Sequence, residues 1–261
     1  LSDRGFAKAE QIMRLEDLLR LLEGEGRNWA RDPNLYYVTV FGTPGNSGRW
    51  GLSFEGHHLS LNFSFRDGQL VDATPQFMAS NPATVMNQPA NNEDASVPPI
   101  GTQVLKVEEK LAFKLVGSLN EEQSAAAIIA KKAPKEIRYA GKPQAIEPDG
   151  LSFTEPVGIT WDALDSPQQE MLRELVHEYF NAARDDVAVA RRKAFASEQP
   201  DVHFAWAGAT KPGIGHYYRI QGKTFLIEFV NTQPDAMGNP ANHVHCVLRD
   251  LTGDFDLPLS E

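Results

Sequence analysis

Glu55-Gly56-His57-His58-Leu59-Ser60-Leu61-Asn62-Phe63-Ser64-Phe65 is the stretch that decides the fold class. His57, Leu59, Leu61, Phe63 and Phe65 alternate with His58, Ser60, Asn62 and Ser64. A period of two is that of a strand with one face on a core and the other polar. Residues 35–41 and 50–55 read as strands before it, separated by Gly42-Thr43-Pro44-Gly45. After it, Arg66-Asp67-Gly68 leads into a strand at 69–73, because Asp-Gly supplies the positive φ angles of a tight hairpin. Four further strands are expected near the C-terminus, at 202–207, 216–220, 224–230 and 243–249, with Gln221-Gly222-Lys223 as a hairpin loop.

Helical periodicity fills the rest. Ile12, Leu15, Leu18, Leu19 and Leu22 predict a helix over 1–24 that stops at Gly24. Val104, Val107, Leu111 and Leu115 share a face, and Asn120 with Gln123 forms a capping box, which predicts helices within 104–131. Ser166-Pro167-Gln168-Gln169 reads as a cap followed by proline, opening helices over 166–197 with an apolar stripe from Leu172 to Ala183. Residues 80–102 read as a long surface loop or lid, and 133–160 as a linker. The expectation is a single α+β domain over 1–261. Its largely antiparallel sheet draws on both ends of the chain, as strand series 35–77 and 202–250, with helices packed on one side.

Composition narrows the function classes. The 261 residues carry 35 acids against 25 bases, a net charge of −10, so a phosphate-binding surface and nucleic acid as main partner are disfavoured. No apolar run approaches the ~20 residues of a membrane span. One cysteine excludes an internal disulfide and any Cys-x-x-Cys metal or redox motif. Nucleophile-elbow, Walker, dinucleotide and His-Glu-x-x-His signatures are absent from the sequence. Oligomeric state stays open.

The histidines carry the chemistry that is left. Asn242-His243-Val244-His245-Cys246 puts His243 and His245 on one strand face about 6.7 Å apart, close enough for both rings to meet one ion. Val244, Cys246 and Leu248 face the other way, which makes Cys246 inert packing. His58 lies on a polar face and is the third candidate ligand. His57 shares the apolar face and is either a core histidine or a reserve ligand, if Gly56 bulges the strand. Glu228, inside Phe225-Leu226-Ile227-Glu228-Phe229, is an expensive charge unless partnered. It is a candidate ligand, base or histidine-orienting group, or else a salt-bridge partner of Arg219 or Arg249. Arg219, Asn62, His216, Tyr217 and Asn231 are candidates for contacting a polar substrate.

Several of these motifs, in this order, resemble a bacterial family of unknown function, number 3500. They are Tyr36-Tyr37-Val38-Thr39-Val40-Phe41-Gly42, Glu55 to Asn62, Phe204-Ala205-Trp206-Ala207-Gly208, His216-Tyr217-Tyr218-Arg219, Asn231-Thr232-Gln233 and Asn242-His243-Val244-His245. The resemblance implies that the family's usual N-terminal portion is missing here, and favours an extracytoplasmic setting. It brings no activity. Residues 234–240 look enlarged relative to the family pattern, with Asp235 as a further candidate ligand. The leading expectation is a metal-dependent enzyme, hydrolytic or oxidative, acting on a small polar substrate. Its divalent transition metal would be held by His58, His243 and His245, with zinc first and copper or iron as alternatives, and with Glu228 and Arg219 catalytic. The rival is a non-catalytic binding protein for a small molecule or peptide, using the same His, Arg, Glu and aromatic pocket. A third reading makes the histidines a structural hydrogen-bond network.

Overall fold

The computed structural model describes residues 1–24, 29–89, 97–138 and 155–257. Among the described residues five α-helices pack on an eleven-stranded, mostly antiparallel sheet. The elements run α1 (Asp3–Glu23), β1 (Tyr36–Phe41), β2 (Arg49–Gly56), β3 (Leu59–Arg66), β4 (Gln69–Asp72), β5 (Gln76–Ser80), α2 (Lys106–Ser118), α3 (Glu121–Ala127), β6 (Ile128–Ala130) and β7 (Ile159–Thr160). They continue with α4 (Ser166–Phe180), α5 (Asp185–Glu198), β8 (His203–Gly208), β9 (His216–Gln221), β10 (Phe225–Gln233) and β11 (His243–Asp250). The main path across the sheet is β1-β2-β3-β5-β11-β10-β9-β8-β6, with β4 on β3 and β7 on β8. The two strand series therefore form one sheet, and β5 against β11 is the seam between them.

Strand parity sorts the two faces as expected. Leu59, Leu61, Val244, Cys246, Leu248, Tyr218 and Phe229 lie in one large core with the apolar sides of α1, α2, α4 and α5. In α1 the residues Leu15, Leu18 and Leu19 are at most 2% exposed, and each such burial is worth ~1.5–3 kcal/mol. Polar ties fix the helices to one another. Lys8 of α1 reaches Glu108 of α2 at 2.5 Å and Glu178 of α4 at 2.6 Å, all three buried. On the opposite face a smaller cluster of Ala207, Tyr217, Val230, Val247 and Ile137 lies beneath the chain that leaves β6.

Local signals landed closely, with five corrections, two of them short strands: β6 lies inside the span expected as helices, and β7 inside the expected linker. Asn120 and Gln123 form the expected capping box. The α4 box is one residue earlier than expected, with Asp165 as cap and Gln168 as its partner, because the aspartate accepts as well as the serine after it would. Residues 57 and 58 are not strand: Gly56 pairs with Leu59, so His57-His58 is the two-residue turn of the β2–β3 hairpin. The expected loop at 80–102 begins inside the core, where Ala83 and Val85 are buried and Asn242 clamps Thr84 through both its amide groups. Residues 90–96, like 139–154 of the expected linker, lie outside the described residues.

Candidate metal centre

Three imidazoles converge at the seam. His243 and His245 project from β11 on the face away from the helices, as their spacing predicts. His58 reaches them from the β2–β3 turn, two strands away. Ala79 of β5 lies between: it pairs with His245, and its N–H donates to the His58 carbonyl at 2.9 Å. A methyl group at this crossing leaves room for rings from either side to meet above it. The Nε2 atom of His243 lies 3.0 Å from Nε2 of His58 and 3.0 Å from Nε2 of His245. One ligand atom from each residue falls within 4.8 Å of the others, the arrangement of a site able to hold a metal ion.

Hydrogen bonding alone does not satisfy these atoms. A ring nitrogen offers one proton or one lone pair, never both. Nδ1 of His245 lies 2.7 Å from Glu136, so Nδ1 is the donor there and Nε2 is the nitrogen left to offer a lone pair. The Nε2 of His243 faces two nitrogens and can make a linear bond to only one. A single cation accepts all three lone pairs at once. Tetrahedral bonds of roughly 2.0–2.1 Å place donor nitrogens roughly 3.3 Å apart, close to the 3.0 Å of the two pairs that include His243.

The surroundings keep His58 and His243 neutral. Burial lowers the His58 pKa well below the ordinary value, and the neighbouring imidazoles His57, His243 and His245 lower it further. Burial, then His245 and His57, bring His243 down to about 4. Both therefore present lone pairs at neutral pH.

His58 itself is held in an unusual backbone, with φ at 67°, a left-handed conformation that non-glycine residues adopt only at a cost. Such strain clusters at functional sites. The turn is braced from behind: the Tyr36 hydroxyl donates to the His57 carbonyl, and the Tyr36 ring lies over Gly56, where an added Cβ would come within 2.4 Å of it. Gly56 is thus required by an aromatic ring packed on its backbone, and the bulge that would have made His57 a ligand is not there. His57 stacks on His58 with ring centroids 3.6 Å apart. Its Nδ1 meets the buried Glu16 of α1, and Arg31 lies about equally close to both its ring nitrogens. His57 backs the cluster and falls outside the set of three.

Glu136 is the residue that sequence reading missed. Burial alone would raise its pKa, but the hydrogen bond and charge of His245 outweigh that and lower it. It also accepts from the backbone N–H of Ile137 at 2.8 Å and from Gln233 at 3.2 Å. Thr232 and Gln233 both donate to the Lys135 carbonyl. The Asn231-Thr232-Gln233 stretch therefore docks the segment that carries Glu136, while the Asn231 side chain accepts from the His243 N–H at 3.1 Å.

The remaining candidates are distributed away from the cluster. Glu228 shares the face of His245 but is fully buried, accepting from the Tyr217 hydroxyl at 2.7 Å and the Arg138 N–H at 3.1 Å. Arg219, its cross-strand neighbour, is 1% exposed and donates to Gln221. Neither side chain lies open to an incoming substrate. His216 is on the helix side, 3.2 Å from Glu109 and stacked on Trp206. The Asn231 amide donates to the same glutamate. Asn62 bonds Ser53, Ser60 and the Pro75 carbonyl. Asp235 accepts from Met237, Asn239 and Asn242 and so ties its own loop together; the three-histidine set does not include it.

A family model described as "Protein of unknown function (DUF3500)" matches residues 1–257. The chain belongs to the DUF3500 family. No curated protein and no solved structure matches it. Among the described residues no helix is long and apolar enough to cross a membrane.

Proposed function

We propose that this DUF3500 protein is a transition-metal enzyme whose ion is held by Nε2 of His58, His243 and His245. The observation that carries the reading is His243 Nε2 lying 3.0 Å from two other ring nitrogens, a contact set one cation satisfies and hydrogen bonds do not. Three neutral nitrogen ligands suit zinc first, with copper or iron as alternatives. An ion with three protein ligands and an open position supplies Lewis acidity and a more acidic bound water, which serves hydrolysis; a redox metal in the same set serves oxidation.

The chain's own residues have separable tasks in this reading. Glu136 fixes the His245 tautomer by accepting from Nδ1, leaving Nε2 for the ion. His57, locked by Glu16, packs the back of the His58 ring. Glu228 and Tyr217 support the segment that carries Glu136, and neither they nor the buried Arg219 touch substrate. His245 and Glu136 retain 15% and 44% of their side-chain exposure, so the ion is reachable by a small polar molecule. Elemental analysis of protein purified without a histidine tag tests the reading. The expected result is close to one equivalent of one transition metal, lost in His243→Ala. Less than a tenth of an equivalent of every such metal, with no binding on titration, overturns it.

A further inference from the structure

Strand β1 is the outer edge of the sheet, and its sequence is unusual for an edge. Tyr36-Tyr37-Val38-Thr39-Val40-Phe41 contains no charge and no proline, and it pairs with β2 residue for residue without a bulge. Edges of monomeric proteins are normally blunted by one of those three devices. Tyr37, Val38, Val40 and Phe41 are 61%, 61%, 47% and 56% exposed. Tyr37 and Phe41 lie on one face of the sheet, Val38 and Val40 on the other. An ordinary half-buried strand would place polar residues on its solvent face, and here only Thr39 is polar. Beside Phe41, a cleft lined by Trp50, Leu52, Phe65 and Leu257 continues the apolar surface.

We propose that β1 is a self-association surface, where a second copy of the chain adds its own β1 antiparallel and extends the sheet across a two-fold axis. The open hydrogen-bonding edge favours a strand over a helix as occupant. The absence of charge along the strand favours a like copy, since the same segment meets itself at no electrostatic cost even though each chain carries −10. The areas also agree. With aromatic side chains contributing ~150–250 Å² each, the exposed apolar part of β1 amounts to roughly 400–500 Å² per copy. Full burial of that surface in both copies sets a ceiling of roughly 800–1,000 Å², at the lower limit of a specific interface. An isologous pairing closes on itself and leaves no second free edge at β1.

Light scattering across a range of concentrations, with a cysteine scan of the strand, tests this. The one native thiol, Cys246, is buried and pushed up in pKa, so an introduced cysteine is the only reactive one. The wild type is expected at twice the chain mass, and Val38→Lys at the chain mass with its metal content unchanged. Tyr37→Cys, Val38→Cys, Thr39→Cys and Val40→Cys are expected to cross-link unevenly. The position at the two-fold axis brings its own copy within the ~5.5 Å Cα separation a disulfide requires, and its neighbours do not. A wild type that stays at the chain mass up to about 100 µM (roughly the micromolar regime of weak standard interfaces), or cross-linking equally slow at all four positions, overturns the proposal. So does a polydisperse aggregate. The cysteine scan keeps the test decisive if Val38→Lys fails to fold.

Discussion

At the scale of single residues, His58 combines a strained backbone with a buried, neutral ring, and the two properties come apart by mutation. His58→Ala removes the ligand but leaves a Cβ at φ 67°, whereas His58→Gly removes both ligand and strain. Both variants are expected to lose the ion, with the glycine variant more stable in urea by about 1 kcal/mol; equal stabilities would place the strain elsewhere. His243 gives the pH counterpart. Its folded pKa, about 4, is below the ~6.5 of the unfolded chain. The unfolded state therefore binds the proton first as pH falls. The metal-free protein keeps this contribution fully above pH 6.5 and loses it on acidification towards 4. His243→Gln, which has nothing to titrate, is expected to gain on the wild type by on the order of 2 kcal/mol between pH 7.5 and 4.5 in parallel urea titrations. A constant difference would mean that the ring takes up its proton in the fold at the same pH as in the unfolded chain. The sequence made His58, His243 and His245 legible as a set, but for His58 the reason was only half right. Strand parity put it on the polar face, whereas a turn aims it.

At the scale of elements, the segment between β6 and residue 138 works as a strap over the open face of the sheet. Glu136 meets His245, Ile137 enters the small core, and the Arg138 N–H meets Glu228. Three successive residues thus tie the strap to β9, β10 and β11. Glu136→Gln keeps the shape and can still accept from Nδ1, but it loses the charge that makes His245 the stronger ligand. Metal affinity is expected to fall 10- to 100-fold, measured by competition with a chromophoric chelator. The stability of the metal-free protein should change by under about 1 kcal/mol, because the side chain is nearly half exposed. Unchanged affinity would reduce Glu136 to a surface contact. Nothing periodic marks this strap in the sequence. Ile137 is one apolar residue among charges and a proline, and its buried partners Ala207, Tyr217, Val230 and Val247 are about 70 to 110 residues away. Strand β5 was similarly hard to read: Gln76-Phe77-Met78-Ala79-Ser80 is buried at most positions, so polarity does not alternate along it and its boundary is invisible. Where one face meets water, as in β3, or where a cap repeats a local rule, as at Asn120, the sequence was a sufficient guide.

At the scale of the whole molecule, the β5–β11 ladder is what makes one sheet from two strand series. It runs from Val244 opposite Ser80 to Leu248 opposite Gln76. The candidate ligands straddle it, His58 on the N-terminal side and His243 with His245 on the C-terminal side. An ion here would hold together strands more than 180 residues apart in the chain, and such a link should act on global stability as well as on the site. Binding to the folded state alone stabilises by about 2.7 kcal/mol at a free metal concentration 100 times the dissociation constant. Chelator-treated protein given zinc is therefore expected to show a higher unfolding midpoint in a single transition. Amide exchange should slow along both β5 and β11, and His58→Ala, which cuts the link on one side only, should abolish the effect. Slowed exchange confined to the His57-His58 turn would show that the ion is a local ornament of the hairpin. Loss of the response in His243→Ala but not in His58→Ala would place the ion on β11 alone. The seam argument requires both, because neither strand series by itself brings three imidazoles within reach of one another.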